Sequence, residues 1–382
     1  MFLKKKERGN AGKKRILIFI WNLGVGGVQK RVKDILKQVS LEHIDVKIYI
    51  LVKFKEPNFY NKEIEGLKNV SVYYAPIKGS RKQGRLAFIG QFFFILWVWF
   101  KYLIILPHTI LSFMNRLSAI MVIINKLTFF WSSRLIINEG VFTSDYLKIH
   151  SLCPELASKT LNFFYSKANK IIVPTQVIKK EFVDNYLLDG NKIVIVPNWT
   201  LFKPCSIKKK KYDLIFAGRF EKEKQPLELI EIVAHLTKDI PNLKMLFLGQ
   251  GSLEQKMRLK IKQLDLKSVV EVKRAKKNIQ DYYSLSKVLV LNSKNEGLPN
   301  VVIEAGMCGI PSVVNNFVGA SEVIKHKKNG FIAKNKKEMN RYLKLLLEND
   351  KKRNQFGKAM QTYVQKNFSH EQQQKFINIL LD

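Results

Sequence analysis

The chain has 382 residues, enough for two domains of ordinary size, and its apolar content of 46% excludes a disordered polymer. Lys and Arg number 66 against 31 Asp and Glu, a net charge of +35. That excess faces something anionic: nucleic acid, a membrane surface or a phosphorylated substrate. Cys153, Cys205 and Cys308 are scattered and lack metal-ligand spacing, so neither a disulfide framework nor a zinc site is expected and a reducing compartment fits. Residues 1–15 are polar and basic, without the apolar core of a secretory leader.

Arg15–Trp21 is a short apolar run suited to a central parallel strand, and a glycine-rich turn follows at 22–28. Val28, Val32, Ile35, Leu36 and Val39 then repeat with a helical period before a second strand at Val46–Val52. This order opens a doubly wound domain. Gly26 and Gly27 either let backbone approach a ligand at the helix N-terminus or form a plain tight turn.

Residues 86–106 hold only Gln91 and Lys101 as strongly polar side chains, an apolar helix of about 31 Å. Trp97, Trp99 and Tyr102 suit a lipid headgroup region, and Arg81, Lys82 and Arg85 suit anionic lipid. The segment reads as an interfacial docking helix; a buried core helix is the alternative.

Further strands are expected at Thr109–Phe113, Arg134–Ile137, Lys170–Val173 and Lys192–Val196, with a domain boundary near residue 200. A new β–α–β series starts at Tyr212–Ala217 and continues at Leu243–Leu248, Val269–Val272, Val288–Leu291 and Ser312–Val314. The first of these ends in Gly218-Arg219, with Lys224 just ahead of a helix opened by Pro226. Arg offers a planar fork and Lys a point charge for phosphate oxygens. A Gly249-Gln250-Gly251 turn follows the next strand, and Arg274, after the third, either stacks on a ligand or is solvated.

Residues 292–311 carry Glu296 in a loop after a strand and Glu304, eight positions on, one turn into a helix. Pro299 suits the first turn, and Gly309 with Pro311 stops the helix near Cys308. N–H groups around Gly297, Leu298, Pro299 and Asn300 would face an anion, with the two acids positioned for hydroxyls beside it. An ordinary strand–loop–helix with solvated acids is the bland reading.

This element resembles the E-x7-E motif of glycosyltransferase family 4, and the order of parts is similar from the turn at 23–28 to the end of the chain. The resemblance implies an α/β fold of the GT-B type, two Rossmann-like domains with a donor/acceptor cleft between them. It divides the chain into 1–200, an acceptor-binding domain with a membrane-docking segment at 86–106; 201–365, a nucleotide-sugar-binding domain; and 366–382, a helix crossing back to the first domain. It implies that Glu296 contacts the donor sugar, Glu304 the ribose, and Arg219 and Lys224 the diphosphate. Gly26, Gly27, Arg274 and Gly297–Asn300 complete the donor-binding set. Where many members of that family carry a His, Asn138-Glu139-Gly140 offers Glu139 as a catalytic candidate beside Glu296, Arg219 and Lys224, or as a helix-capping acid.

The implied activity is metal-independent, retaining transfer of a sugar from a nucleotide-diphosphate donor, with no cofactor. The expected acceptor is lipid-linked or a surface polysaccharide, at the inner face of the cytoplasmic membrane. A soluble member with a small acceptor, a non-catalytic GT-B subunit and a basic nucleic-acid-binding protein are the alternatives. The basic residues are spread along the whole chain and no nucleic-acid module appears, so no nucleic-acid partner is expected.

Overall fold

The computed structural model describes the chain from Lys13 to Asp382, except residues 25, 44, 56–58, 77–84, 114, 129, 145–146, 148–153, 206–208 and 275–277. Thirteen strands among the described residues form two sheets: β1 Lys14–Ile20, β2 Val46–Val52, β3 Val70–Tyr74, β4 Thr109–Phe113, β5 Arg134–Asn138, β6 Lys170–Val173, β7 Ile193–Ile195, β8 Tyr212–Ala217, β9 Met245–Leu248, β10 Val270–Lys273, β11 Ser286–Leu291, β12 Ser312–Asn315 and β13 Gly330–Ala333. The first sheet runs β3-β2-β1-β4-β5-β6-β7 and the second β10-β9-β8-β11-β12-β13. The pairings around β1, β4, β8 and β11 are parallel.

Each order steps outward from its first strand, returns, and steps out the other way. The reversal leaves a crevice at the carboxyl ends of two neighbouring strands, β1 and β4 in one sheet, β8 and β11 in the other. The central strands are buried on both faces, as helix-covered parallel strands must be: Ile16–Phe19, Leu214–Phe216 and Val288–Val290 have no exposed surface. The expected doubly wound α/β architecture is present in both halves.

The chain divides into two compact units. One comprises the chain up to Asn138 with Phe163–Ile171 and Leu380–Asp382; the other comprises Glu139–Asn162 and Ile172–Ile379. Glu139 therefore belongs to the same unit as Arg219, Lys224 and Glu296.

In the first unit, the helix Arg85–Ile105 buries Phe94, Val98, Tyr102 and Ile105, a stripe at helical spacing. Tyr102, expected at a headgroup surface, instead lies wholly in the core, its hydroxyl 2.7 Å from Asn125 Oδ1 and 2.7 Å from Ser133 Oγ. Gln91 accepts from Lys53 at 2.8 Å, and Lys101 lies over the Tyr73 ring at 4.3 Å. The opposite face is apolar as well, and exposed: Phe92, Phe93 and Ile104 each keep 60% of their surface, alongside Leu96, Trp99 and Phe100. The buried-helix reading thus holds for one face, and the other face is exposed. Among the described residues no helix is long and apolar enough to cross a membrane. Arg81 and Lys82 lie outside the described residues, as does the side chain of Arg85.

One expectation is corrected in the second unit. Cys205 and Cys308, 103 residues apart, form a disulfide. Their separation carries no motif; the fold brings the segment before β8 against the end of the helix Asn300–Met307, where Cys308 is the C-cap. Cys153 lies outside the described residues.

Candidate active site

The sequence-selected groups in the second unit, Glu139 and Glu304 aside, follow the carboxyl ends of the second sheet's strands, because parallel strands deliver those ends to the same side. β8 delivers Gly218 and Arg219, β9 delivers Gly249, β10 delivers Arg274, and β11 leads into Asn292–Glu296. The crevice between β8 and β11 is where the strand order reverses.

The loop after β8 is held by close backbone approach. A Cβ on Gly249 would lie 1.8 Å from Gly218 O, and one on Gly251 would lie 2.5 Å from Phe220 O. Gly218 has φ +154° and Gln225 φ +49°, so the loop turns sharply at both ends before the helix Pro226–Leu236. Glu221 accepts from Ser252 N at 3.0 Å. The Gly249-Gln-Gly251 turn therefore fixes the backbone that carries Arg219 and Lys224.

Both cations are paired with carboxylates. Arg219 Nη2 lies 2.9 Å from Glu223 Oε1, with the guanidinium more than half exposed. Lys224 Nζ bonds Glu296 Oε1, and Ser293 Oγ donates to the same oxygen at 2.9 Å. Oε2 of Glu296 makes no bond among the described residues. Lys294 N donates to Glu223 O at 2.9 Å, tying the loop after β11 to the loop after β8.

The helix Asn300–Met307 starts directly after Glu296–Pro299. Among the described residues no side chain caps its N-terminus, and its first turn carries no acid. Pro299 stands at the N-cap in extended conformation, one position ahead of the expected first turn. Asn198 Nδ2 donates to Leu298 O at 2.6 Å. Gly297 is demanded by packing: its Cβ would lie 2.1 Å from Gly140 O, and a Cβ on Gly319 would lie 1.7 Å from Gly297 O. Three loops thus stack backbone on backbone, which gives Gly297 a structural duty beside any ligand role.

Glu304 is 4% exposed and accepts the Tyr283 hydroxyl on Oε2 at 3.0 Å. Glu139 is buried, and its Oε1 accepts from Gly140 N at 3.2 Å. Arg274 is exposed beyond β10. In the first unit, Gly26 is the extended N-cap of the helix Gly27–Glu42, at the carboxyl end of β1. Gly24 N and Gln29 Nε2 each donate to Asn22 Oδ1 at 3.1 Å, which shapes that turn.

Sequence reasoning missed two partners of the selected acids and, in the first unit, one buried cation. Ser293 is the second partner of Glu296, three residues ahead of it. Tyr283 holds Glu304 from 21 residues away, a separation with no local signal. Arg31 donates to Asn138 Oδ1 at 2.8 Å beside the first sheet's edge, and burial pushes its guanidinium down to about 10. Its position on the buried face of an amphipathic helix was the available signal.

Residues 197–363 match the family model described as Glycosyl transferases group 1. A Haemophilus influenzae protein described as an uncharacterized glycosyltransferase is 29% identical over 47% of this chain and 52% of its own. This chain thus spans about half the length of that relative. A Campylobacter jejuni protein is 25% identical over 90% of this chain and 93% of its own; it is named N-acetylgalactosamine-N,N'-diacetylbacillosaminyl-diphospho-undecaprenol 4-alpha-N-acetylgalactosaminyltransferase. Among solved structures, Anabaena Alr3699/HepE in complex with UDP and glucose superposes with a TM-score of 0.77 at 16% identity, over 96% of this chain and 99% of the other. The fold is the GT-B fold of such solved structures, and residues 197–363 of this chain are similar to the glycosyl transferases group 1.

Proposed function

We propose that the chain is a retaining, metal-independent hexosyltransferase of family 4 that moves a sugar from a nucleotide-diphosphate donor to a lipid-linked or surface-polysaccharide acceptor. The observation that carries this reading is the cluster of Lys224, Glu296 and Ser293 at the reversal point of the second sheet, beside Arg219 and an uncapped helix N-terminus. A diphosphate placed there meets two fixed cations and a row of backbone N–H groups. As the sugar–phosphate bond breaks, charge grows on the leaving diphosphate, and those groups stabilise it.

Arg219 is spoken for by Glu223, but an exposed pair of that kind is worth only about 0–1 kcal/mol, so a diphosphate displaces it readily. Glu296, oriented through Oε1 by Lys224 and Ser293, presents Oε2 to sugar hydroxyls. Glu304 takes the ribose. Gly26 and Gly27 serve the donor phosphates from the first domain, residues 1–200, and Arg274 the base from the second, 201–365. Glu139, beside Gly140, accepts a proton or orients the loop.

Two further features support the acceptor class. The Campylobacter relative is named for an acceptor carried on diphospho-undecaprenol. The exposed face of Arg85–Ile105, in a chain of net charge +35, suits an anionic membrane surface at its cytoplasmic side.

The test is thermal stabilisation by UDP-, GDP- and ADP-sugars, followed by transfer assays with EDTA present. One nucleotide should stabilise the wild type, Arg219→Ala should lose that shift, and Lys224→Met should lower kcat by about 100-fold. No shift with any nucleotide sugar would remove the donor site from the proposal, and activity abolished by EDTA would remove the metal-independence.

A further inference from the structure

Glu181 is buried on the helix Gln176–Asp184, and its carboxylate holds two successive backbone N–H groups. Thr143 N donates to Oε2 at 3.0 Å and Ser144 N to Oε1 at 2.6 Å. A carboxylate that anchors two backbone donors at once fixes both the position and the direction of the segment carrying them. That segment, residues 139–144, starts at Glu139 and touches both chain neighbours of Glu296. Gly140 O stands 2.1 Å from the place a Cβ on Gly297 would take, and Phe142 O accepts from Asn295 Nδ2 at 3.5 Å. Three residues before Glu181, on the same helical face, Ile178 Cδ1 lies 3.1 Å from that same Cβ position. One buried helix face thus bears on the Glu296 loop twice, directly through Ile178 and through the backbone that Glu181 holds.

We propose that Glu181 is a positioning residue for Glu296: by anchoring residues 139–144 it fixes the loop Asn295–Gly297, so that the Glu296 carboxylate meets the donor sugar. This rests on the reading of Glu296 as the sugar contact. Lys224 and Ser293 orient the Glu296 side chain through Oε1, but they do not fix the backbone from which it projects. Asn295 and Gly297 flank that backbone, and both lean on the one segment. A displacement of about 1 Å in a binding group is enough to forfeit much of its effect. Glu181 acts through the chain and contacts no substrate atom.

If the carboxylate merely pins a loop, removing it lowers stability and leaves ligand binding alone. The experiment measures dissociation constants by calorimetry on the full chain, for UDP, GDP and ADP beside UDP-glucose, UDP-N-acetylgalactosamine, GDP-mannose and ADP-glucose. The ratio between a nucleotide and its sugar conjugate isolates what the sugar contacts contribute. Glu181→Gln keeps the shape and one acceptor oxygen, and turns an amide donor toward the other N–H. It should weaken the conjugate that wild type prefers by about 10-fold, while the bare nucleotide binds as before. Tyr186→Phe controls for local damage: its hydroxyl lies 3.2 Å from Ser144 Oγ, so its loss loosens the same segment without removing either N–H bond. That variant should melt earlier and keep the wild-type ratio.

A ratio unchanged in Glu181→Gln, or one that falls as far in Tyr186→Phe, would overturn the proposal. Amide hydrogen exchange in residues 293–300 supplies a readout that needs no ligand. It should quicken in Glu181→Gln and stay at the wild-type rate in Tyr186→Phe; exchange unchanged in Glu181→Gln would show that the carboxylate does not hold the Glu296 loop. If no nucleotide binds wild type, or none of these sugars adds affinity, it is the reading of the donor site that fails, and exchange alone then decides whether Glu181 positions the loop. Should Glu181→Gln not fold, Glu181→Asp takes its place with the same expectations, since it keeps the charge but is one methylene too short to reach both N–H groups.

Discussion

At the scale of single residues, the group whose identity is most tightly dictated is a glycine. Gly297 has no side chain because Gly140 O occupies the place where one would start, 2.1 Å from the ideal Cβ. The obstacle is backbone from another loop, which cannot swing aside as a flexible side chain would. Gly297→Ala should therefore destabilise the fold by about 1–3 kcal/mol, read as a lower urea midpoint with an unchanged m-value. Because the same overlap displaces the loop bearing Glu296, transfer should fall further than the lost stability accounts for. An alanine variant with wild-type stability and activity would mean that Gly140 and Gly297 do not touch. The sequence showed that a glycine follows Glu296, and the anion-binding explanation was natural. The packing explanation needed Gly140 and Gly319 in place, 157 residues before Gly297 and 22 after it.

Between elements, what was legible and what was not separate along a physical line. Buried parallel strands announce themselves as unbroken apolar runs, and the expected bounds of β2, β4, β6 and β8 match the observed ones residue for residue. β3 and β13, each one of the two outer strands of its sheet, went unread: β3 is only half-buried, and Val70–Tyr74 mixes polar and aromatic residues. Side-chain partnerships across elements were invisible for a different reason. Ser293 with Glu296 lies within one loop, whereas Tyr283 with Glu304 and Cys205 with Cys308 join segments that only the folded chain brings together. The disulfide gives a direct prediction. Denatured without reductant, the protein should titrate as one free thiol, and after reduction as three. Closing a loop of this length stabilises by about 2–4 kcal/mol, so Cys205→Ser should melt earlier than the oxidised wild type and level with the reduced one. Three free thiols in the protein as purified would show that the pair stays open in a reducing compartment.

On the scale of the whole molecule, composition poses a question that the proposed donor site does not answer. A surplus of 35 positive charges greatly exceeds what the two side chains proposed to bind phosphate require. The exposed apolar face supplies the other half of the argument. Phe92, Phe93, Leu96, Phe100 and Ile104 on Arg85–Ile105 are joined in exposure by Ile123 and Leu127 of Asn115–Leu127 and by Phe130. Cation and hydrophobe together are what an anionic bilayer binds, since charge draws the protein to the surface and apolar side chains enter the headgroup boundary. Vesicles of phosphatidylglycerol should therefore bind the full chain, and vesicles of phosphatidylcholine should bind it far more weakly. Raising the salt should weaken the first interaction steeply and leave the second almost unchanged. Phe93→Asp with Phe100→Asp should cut binding by at least about 10-fold, because burying one such ring contributes roughly 1.5–3 kcal/mol. Both side chains are exposed, so the double variant should melt at the wild-type temperature and keep its affinity for the donor nucleotide. Binding that follows salt but ignores the two substitutions would make the surface purely electrostatic and return the aromatic face to an unassigned role.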